Sequence, residues 1–191
     1  MSYSITNCTL SEGLNLTGCT KNNSGGVSAV YIANFKEVVT GGTASAKYTY
    51  DSTTGEITDI VTGATAATYY QFDTVKETSS LAEAIAVNVQ NGTIVFTPTV
   101  SLVMNKLETK QRNLIHMLSL GLLICVVKDN NDNYWMVGYN KGMDVTAVES
   151  STGVALGDRN GSTLTVTGKE PKPMARLSSA AVAKLLAVAT Y

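Results

Sequence analysis

The chain has few of the residues from which catalytic and metal sites are built. Its 191 residues include one histidine and three cysteines. His116 has no second histidine to share a metal, and neither a cysteine nor a carboxylate lies one helical turn away. The Gly-x-Ser-x-Gly hydrolase motif and the Gly-Lys-Ser/Thr phosphate loop are both absent. We therefore expect no catalytic, cofactor-binding or metal-binding residues, no cofactor, and a protein that is not an enzyme.

Charge is also scarce. Charged residues make up 15% of the chain, against roughly 25% in an average soluble domain. The 14 basic residues nearly cancel the 15 acidic ones, so the composition gives no general attraction to nucleic acid or to an anionic membrane. Small and uncharged polar residues are abundant instead. We expect part of this surface to be covered by copies of the same chain.

The cysteines and the N-terminus give a consistent expectation of cellular location. Cys8, Cys19 and Cys125 are odd in number and have no metal-ligand spacing, which favours reduced, buried thiols over a Cys8–Cys19 disulfide. The first residues lack the basic segment and apolar core of a secretory signal, and no apolar run is long enough to span a bilayer. The sequence predicts a protein that stays in the cytosol and has no membrane partner.

Hydrophobic patterning predicts a mainly β fold, a sandwich or barrel with one flanking helix and a short C-terminal helix. Three segments are expected: an N-terminal arm at 1–24, a β-sandwich domain at 25–173 and a C-terminal helical tail at 174–191. Residues 106–120 have the spacing of an amphipathic helix that ends at Gly121. Asn91-Gly92 predicts a tight hairpin turn, and Pro98 predicts an edge or a bulge. Ser178 or Ser179 is expected to cap the last helix.

Residues 40–67 predict a second hairpin. Tyr48 and Tyr50 lie on one side of a polar turn, and Ile57 and Ile60 lie on the other. Since this segment has few large apolar residues, we expect it to project from the core. An ordinary surface loop and a contact with a neighbouring copy are equally favoured here. Deletion of residues 43–64 is expected to leave the sandwich folded but to abolish the stacking of copies.

Three residues resemble the start of a calcium-binding loop. Asp129, Asn131 and Asn133 have the spacing of the first oxygen ligands, but Tyr134 takes the place of the turn glycine and Asn140 that of the bidentate glutamate. A hairpin turn is therefore favoured about ten to one over a calcium site. For His116, a hydrogen-bonded structural role is favoured over a catalytic pair with Cys125.

Several segments, taken in order, resemble virion structural proteins of tailed bacteriophages that infect Bacteroidetes, and most nearly a tail tube protein. These segments are SGGVSAVYIANF, GEITDI, ETSSLAEAIAVNVQNGT, KLETKQRNLIHML, VVKDNNDNYWMVGYNKGMDVT and TGVALGDRNGSTLTVTGKEP. Together they cover most of residues 24–173. The N-terminal arm and the alanine-rich C-terminal helix add nothing to the resemblance.

The resemblance implies a compact β-sandwich with a flanking helix, of which typically six copies close into a ring. In such proteins the sheets of neighbouring copies join to line a channel, and the rings stack through extended loops and terminal arms. The implied partners are the chain itself, the tape measure, tail terminator and baseplate or hub proteins, and DNA that passes without sequence-specific binding. The implied location is the phage tail, assembled in the cytoplasm of the bacterial host.

Such a channel must not hold phosphates, so a neutral or acidic lining is expected. Asp51, Glu56, Asp59 and Asp73 are the candidates for residues at the ring contacts or the channel. Two other readings stay open. A capsid decoration or head-tail connector protein would also be a charge-poor β-sandwich, and a carbohydrate-binding or adhesin module would explain the strands and tyrosines.

Overall fold

A computed structural model describes residues 24–39, 46–63 and 66–191. Within these ranges the chain forms twelve strands and three helices. The helices are α1 (Phe35–Val38), α2 (Thr109–Leu120) and α3 (Ser179–Val188). The strands are β1 (Val27–Asn34), β2 (Tyr48–Asp51), β3 (Glu56–Ile60), β4 (Tyr69–Asp73), β5 (Ser80–Asn88), β6 (Thr93–Asn105), β7 (Leu123–Asp129), β8 (Tyr134–Val137), β9 (Met143–Ser151), β10 (Gly161–Gly168), β11 (Ala175–Leu177) and β12 (Ala189–Thr190). The predicted mainly β fold is confirmed.

The strands form one sheet that turns back on itself and makes two layers. Eight strands form the first layer, in the order β2-β3-β11-β8-β7-β1-β4-β12, and the four-stranded layer follows the order β9-β10-β6-β5. The layers are joined through Leu123 of β7 and Met143 of β9, the one residue pair in register between those strands. A junction this narrow lets the two layers face each other across a core.

That core lies between β1, β7 and β8 on one side and β6, β9 and β10 on the other. β7 is buried over its first five residues, as expected for an inner strand whose two faces are both covered. Val30, Cys125 and Val127 contribute from the eight-stranded layer, while Leu102 and Leu164 contribute from the four-stranded layer. Alternate residues of the same strands point to the opposite face because side chains alternate along a strand.

A second core fills that opposite face. It joins Tyr31 and Ile124 of the central strands with Ile57 of β3 and with Leu185 of α3. The segment 174–191, expected as a helical tail, contains β11, α3 and β12. Its helix begins as predicted, because the Ser178 hydroxyl accepts a hydrogen bond from the Ala181 N–H at 3.3 Å.

The hairpin within residues 40–67 is present but does not project, so that part of the prediction is wrong. β2 pairs with β3, and β3 also pairs in parallel with β11. Ile57 and Ile60 are fully buried in the second core. Deletion of 43–64 would therefore remove two sheet strands, β2 and β3, and two core residues. The hairpin lies in the sheet because β3 pairs with β11, a strand about 120 residues later in the chain. The residues of the hairpin itself give no signal of that distant pairing.

The other local predictions are largely confirmed. The Asn91-Gly92 hairpin joins β5 to β6, with Asn88 opposite Thr93. Pro98 lies one residue beyond Thr99, the last β6 residue in register with β10, which fits a residue that cannot donate to a ladder. Helix α2 begins at Thr109 and not at Lys106, because Lys106 has a φ of 70°, outside the helical region.

Candidate functional site: the four-stranded layer

The outer face of the four-stranded layer consists almost entirely of small side chains. We call outer face the side of this layer that points away from the core, as the register of β5, β6, β9 and β10 defines it. Its residues are Ser80, Ala82, Ala84, Ala86 and Asn88 of β5, Thr93, Val95, Thr97, Thr99, Ser101 and Val103 of β6, Asp144, Thr146, Ala147, Glu149 and Ser151 of β9, and Thr163, Thr165 and Thr167 of β10. Small side chains make this face smooth and uncharged over most of its area.

Four charged groups lie on or beside this outer face. Asp144 and Glu149 are exposed on β9, opposite Thr167 and Thr163 of β10. The Arg159 guanidinium reaches the face from the preceding loop and donates a hydrogen bond to the Thr163 hydroxyl at 2.8 Å. Lys169 is exposed just after β10, and the pairing of Glu170 with Phe96 continues the β10–β6 register, which places Lys169 on the same side as Thr167. The face and its immediate rim thus carry two carboxylates and two basic groups.

The layer has two free edges among the described residues. β5 pairs with β6 on one side only, and β9 pairs with β10 and meets β7 at Met143 alone. Both edge strands are nine residues long. β5 contains neither proline nor a basic residue, although these are the residues by which edge strands commonly avoid pairing with other chains. β5 presents a continuous row of backbone donors and acceptors to a partner strand, and β9 presents a row that a bulge at Thr146 and Ala147 interrupts.

The β5–β6 hairpin extends beyond the core. Its last contact toward β10 is the backbone pair between Phe96 and Glu170. From there to the turn the hairpin has no second layer behind it, and its apolar side chains are exposed. We call this end the hairpin tip; it carries Ile85, Val87, Val89 and Ile94, each more than half exposed.

Asp129 organises the turn between β7 and β8. Its carboxylate accepts hydrogen bonds from the backbone N–H groups of Asn131 and Asn133, both at 2.8 Å, and from the Trp135 indole at 3.3 Å. Burial alone would raise the pKa of this carboxyl, but the hydrogen bonds from Asn133, Asn131 and Trp135 outweigh it and lower the pKa. The hairpin-turn interpretation is confirmed, since the carboxylate oxygens are used within the turn.

His116 and Cys125 do not form a pair. His116 is exposed on α2, and its imidazole has no hydrogen-bond partner among the described residues, so the expected hydrogen-bonded structural role is not supported there. Cys125 is fully buried in the core between the layers. Burial raises the pKa of its thiol to about 12, which opposes formation of the nucleophilic thiolate. Its predicted burial as a free thiol is confirmed, whereas Cys8 and Cys19 lie outside the described residues.

The four predicted acidic residues are not brought together on the four-stranded layer. Asp51 lies in the β2–β3 hairpin, where the Thr53 N–H and the Thr54 hydroxyl lower the pKa of its carboxyl. Asp59 of β3 pairs with Lys184 of α3, whose hydrogen bond lowers the pKa of Asp59. Glu56 and Asp73 lie on β3 and β4. All four belong to the eight-stranded layer, and the acidic residues on the outer face are Asp144 and Glu149.

Three tyrosines form a packed cluster at the β2–β3 hairpin. The Tyr50 ring stacks on Tyr139 at a centroid distance of 5.7 Å, and Tyr48 meets Tyr139 edge-on at 6.0 Å. The Tyr48 hydroxyl donates to the Tyr139 carbonyl at 2.6 Å, and the Tyr139 hydroxyl donates to the Pro173 carbonyl at 2.8 Å. Both hydroxyls already donate hydrogen bonds within the fold. The cluster therefore leaves few polar groups available to bind a sugar.

Comparison with protein-family models, curated proteins and solved structures gave no match. No helix within the described ranges is both long and apolar enough to cross a membrane, and these ranges contain no cluster of three or more His, Cys, Asp or Glu residues that could hold a metal ion.

Sequence reasoning missed the hairpin tip and the acidic pair on the outer face. One signal was available for the tip: no charged residue occurs between Glu83 and Lys106, an uncharged run that includes a hairpin turn. The acidic pair could not be found in the same way. Asp144 and Glu149 share a face only because β9 contains a register shift, which places both Thr146 and Ala147 between the pairs at Val145 and Val148.

Proposed function

We propose that this protein is the structural subunit of a phage tail tube, in which copies join into rings and the rings stack around a channel for DNA. The observation that carries the proposal is the four-stranded layer with two free edges of equal length. Contacts of one edge with the opposite edge of the next copy are heterologous, and such contacts close into rings when the rotation between copies allows it.

The direction of the edge strands supports this contact. Successive strands β9, β10, β6 and β5 are all antiparallel, so β5 runs opposite to β9. When β5 of one copy meets β9 of the next, the new pair is also antiparallel. An even number of strands in each copy keeps this alternation intact around the whole ring. The backbone groups of both edges are then satisfied by a neighbour.

The outer face supports the role of channel lining. If the joined layers curve with this face inward, the channel is lined by serine, threonine and alanine, with Asp144 and Glu149 as exposed carboxylates and Lys169 as an exposed ammonium group. Phosphates are held mainly by lysine and arginine. A lining with few basic groups lets a polyanion pass without strong retention. On this proposal the tape measure protein occupies the same channel during assembly, and terminator and baseplate or hub proteins meet the two ends of the tube.

The proposal is tested by electron microscopy of the purified protein across a concentration series. The wild type is expected to form rings or tubes of constant diameter. Ser80→Lys/Ala82→Lys places two lysines on the free edge strand β5 outside the hairpin tip, where charge opposes strand pairing, and is expected to leave monomers. Thr165→Lys adds a lysine to the same outer face on the inner strand β10, and this control is expected to retain rings of normal diameter.

Three results would contradict the proposal. A wild type that stays monomeric under all assembly conditions would contradict self-assembly. A wild type that binds preformed capsids without forming rings would favour the decoration or connector function. Normal rings from Ser80→Lys/Ala82→Lys, with melting behaviour like that of the wild type, would show that β5 is not the lateral contact.

A further inference from the structure

We infer that the hairpin tip of one copy inserts into an apolar groove between α2 and β4 of a second copy, and that this contact joins one ring to the next. The inference rests on the proposed function, and it assigns the axial contact to named surfaces. The free edges discussed above account for lateral contacts only.

The hairpin tip has the chemistry of a buried contact but is exposed in the single chain. Val89 is 89% exposed, and Ile85 and Val87 are each 61% exposed. Ile85 and Val87 point to the same side as Ile94, as the register of β5 with β6 requires. No charged residue interrupts the segment between Glu83 and Lys106. An exposed, uncharged apolar hairpin of this kind marks an interaction site.

The groove lies where α2 crosses the eight-stranded layer. α2 buries none of its residues completely, so the helix leaves a gap of about 270 Å³ beneath it. Tyr70 and Phe72 of β4, Leu114 and Leu118 of α2, and Leu123 line this gap. A neighbouring gap shares Tyr70, Phe72 and Leu114 and continues the groove to Met104 at the end of β6.

The rim of the groove is also apolar. Met117 is 70% exposed and Leu120 is 75% exposed along α2. The charged residues that line the groove are Lys110 and Asp73, both in the part that continues toward Met104. An uncharged apolar tip therefore meets matching surface along most of the groove. A charged partner segment would have to lose its hydration without an opposite charge there.

The two surfaces lie at opposite ends of one strand. Ile94 is at the tip end of β6, and Met104 is at the groove end of the same strand. Ten residues of strand separate them, which at about 3.3 Å per residue is roughly 33 Å. A tip cannot reach the groove of its own chain across this distance. Any tip of this protein that fills the groove therefore comes from another copy, and repetition of that contact builds an open stack.

The first experiment separates stacking from ring formation. Val87→Asp/Val89→Asp puts two charges on the exposed tip, and Leu186→Asp puts one on the exposed face of α3 as a control. Electron microscopy is expected to show single rings for the tip variant and stacked tubes for the wild type and for Leu186→Asp. Thermal melting of each monomer checks that the variants fold.

The second experiment locates the contact. In a Cys8→Ser/Cys19→Ser background, Val89→Cys and Met117→Cys are made in separate proteins, mixed during assembly and oxidised. A disulfide-linked dimer of the two different proteins is expected, because only a tip in a neighbouring groove brings these positions together. Val89→Cys mixed with Leu186→Cys is the control and is expected to give no such dimer.

The outcomes distinguish the inference from the proposed function. If the wild type forms no rings, the proposed function fails. If the wild type and the tip variant both form normal tubes, or if Val89→Cys and Met117→Cys do not cross-link within tubes, the axial contact is wrong while the tube function stands. If a folded tip variant loses rings as well as stacks, the tip is a lateral contact and the inference is overturned.

Discussion

Phe96 and Glu170 exchange two backbone hydrogen bonds, from Phe96 N–H to Glu170 O at 2.9 Å and from Glu170 N–H to Phe96 O at 2.8 Å. This pair holds the base of the β5–β6 hairpin after β6 has parted from β10. The Glu170 side chain continues inward and accepts hydrogen bonds from the N–H groups of Asn140 and Lys141 at 3.2 and 2.9 Å. One buried residue thus connects the projecting hairpin to the turn before β9.

Glu170 is expected to make stability depend on pH. Burial raises the pKa of its carboxyl above the ordinary value, although hydrogen bonds from Lys141 and Asn140 oppose that shift. A raised pKa in the folded state means that the stabilising contribution is complete below the unfolded pKa and is lost as pH rises through the folded value. Glu170→Gln keeps a neutral acceptor, so its stability relative to wild type should increase between pH 4 and pH 7.

Urea unfolding at several pH values measures this effect. Glu170→Ala leaves the Asn140 and Lys141 N–H groups without their acceptor and should cost about 1–3 kcal/mol. Glu149→Gln, on the exposed part of β9, controls for the loss of one negative charge. A Glu170→Gln variant whose stability relative to wild type fell as pH rose would contradict the predicted sign.

Ile57 is expected to be essential to the fold, although it lies in a hairpin that the sequence placed at the surface. Its side chain is fully buried in the second core. Ile57→Ala should lower the free energy of unfolding by about 2–5 kcal/mol, because it leaves a cavity beside α3. The matched control is Val61→Ala, at a residue that is 36% exposed, which should cost less than about 1 kcal/mol. If urea unfolding showed the same small loss of unfolding free energy for Ile57→Ala and Val61→Ala, the hairpin would not belong to the core.

Cys125 should resist thiol reagents while the protein is folded. Burial raises the pKa of its thiol to about 12, and only the thiolate reacts. In a Cys8→Ser/Cys19→Ser background, labelling by an aromatic disulfide at pH 8 should be at least roughly 10³-fold slower than in the urea-unfolded chain. Comparable rates in the two states would show that β7 opens readily.

Tyr69 and Tyr139 offer a matched pair of hydroxyl deletions. The Tyr69 hydroxyl is buried and has no hydrogen-bond partner among the described residues, whereas the Tyr139 hydroxyl donates to the Pro173 carbonyl. Tyr69→Phe should leave stability unchanged or raise it, because an unpaired buried polar group is removed. Tyr139→Phe should cost about 1 kcal/mol through the lost hydrogen bond. Urea unfolding measures the stability of both variants. A larger loss for Tyr69→Phe than for Tyr139→Phe would contradict the prediction.

Local patterns predicted the elements well where neighbouring residues control them. The hairpin at Asn91-Gly92 forms as expected, in a four-residue loop between Asn88 and Thr93 in which Gly92 takes the positive φ of 68°. The apolar run at β7 coincides with a strand that is buried over its first five residues, because both of its faces are covered. The helix cap was narrowed to Ser178 or Ser179 from side chain and position, and Ser178 is the residue that caps.

The same reasoning failed where distant segments meet. The sequence of the β2–β3 hairpin suggested a projecting loop, but Ile57 is buried by β11 and α3, which lie far along the chain. Asp51, Glu56, Asp59 and Asp73 were chosen for charge alone and lie on the eight-stranded layer. Whether an acidic residue faces the outer side of the four-stranded layer depends on register, and one bulge in β9 changes it.

The sequence by itself determined a mainly β chain with few charges and an uncharged hairpin turn, because side-chain period and turn chemistry act over a few residues. Only the tertiary structure decided which strands remain unpaired and where the apolar surface stays uncovered. Those outcomes depend on which distant strands pair and on how far β6 extends past β10. No local pattern encodes them, since strands that pair or remain at an edge can have the same alternation of side chains.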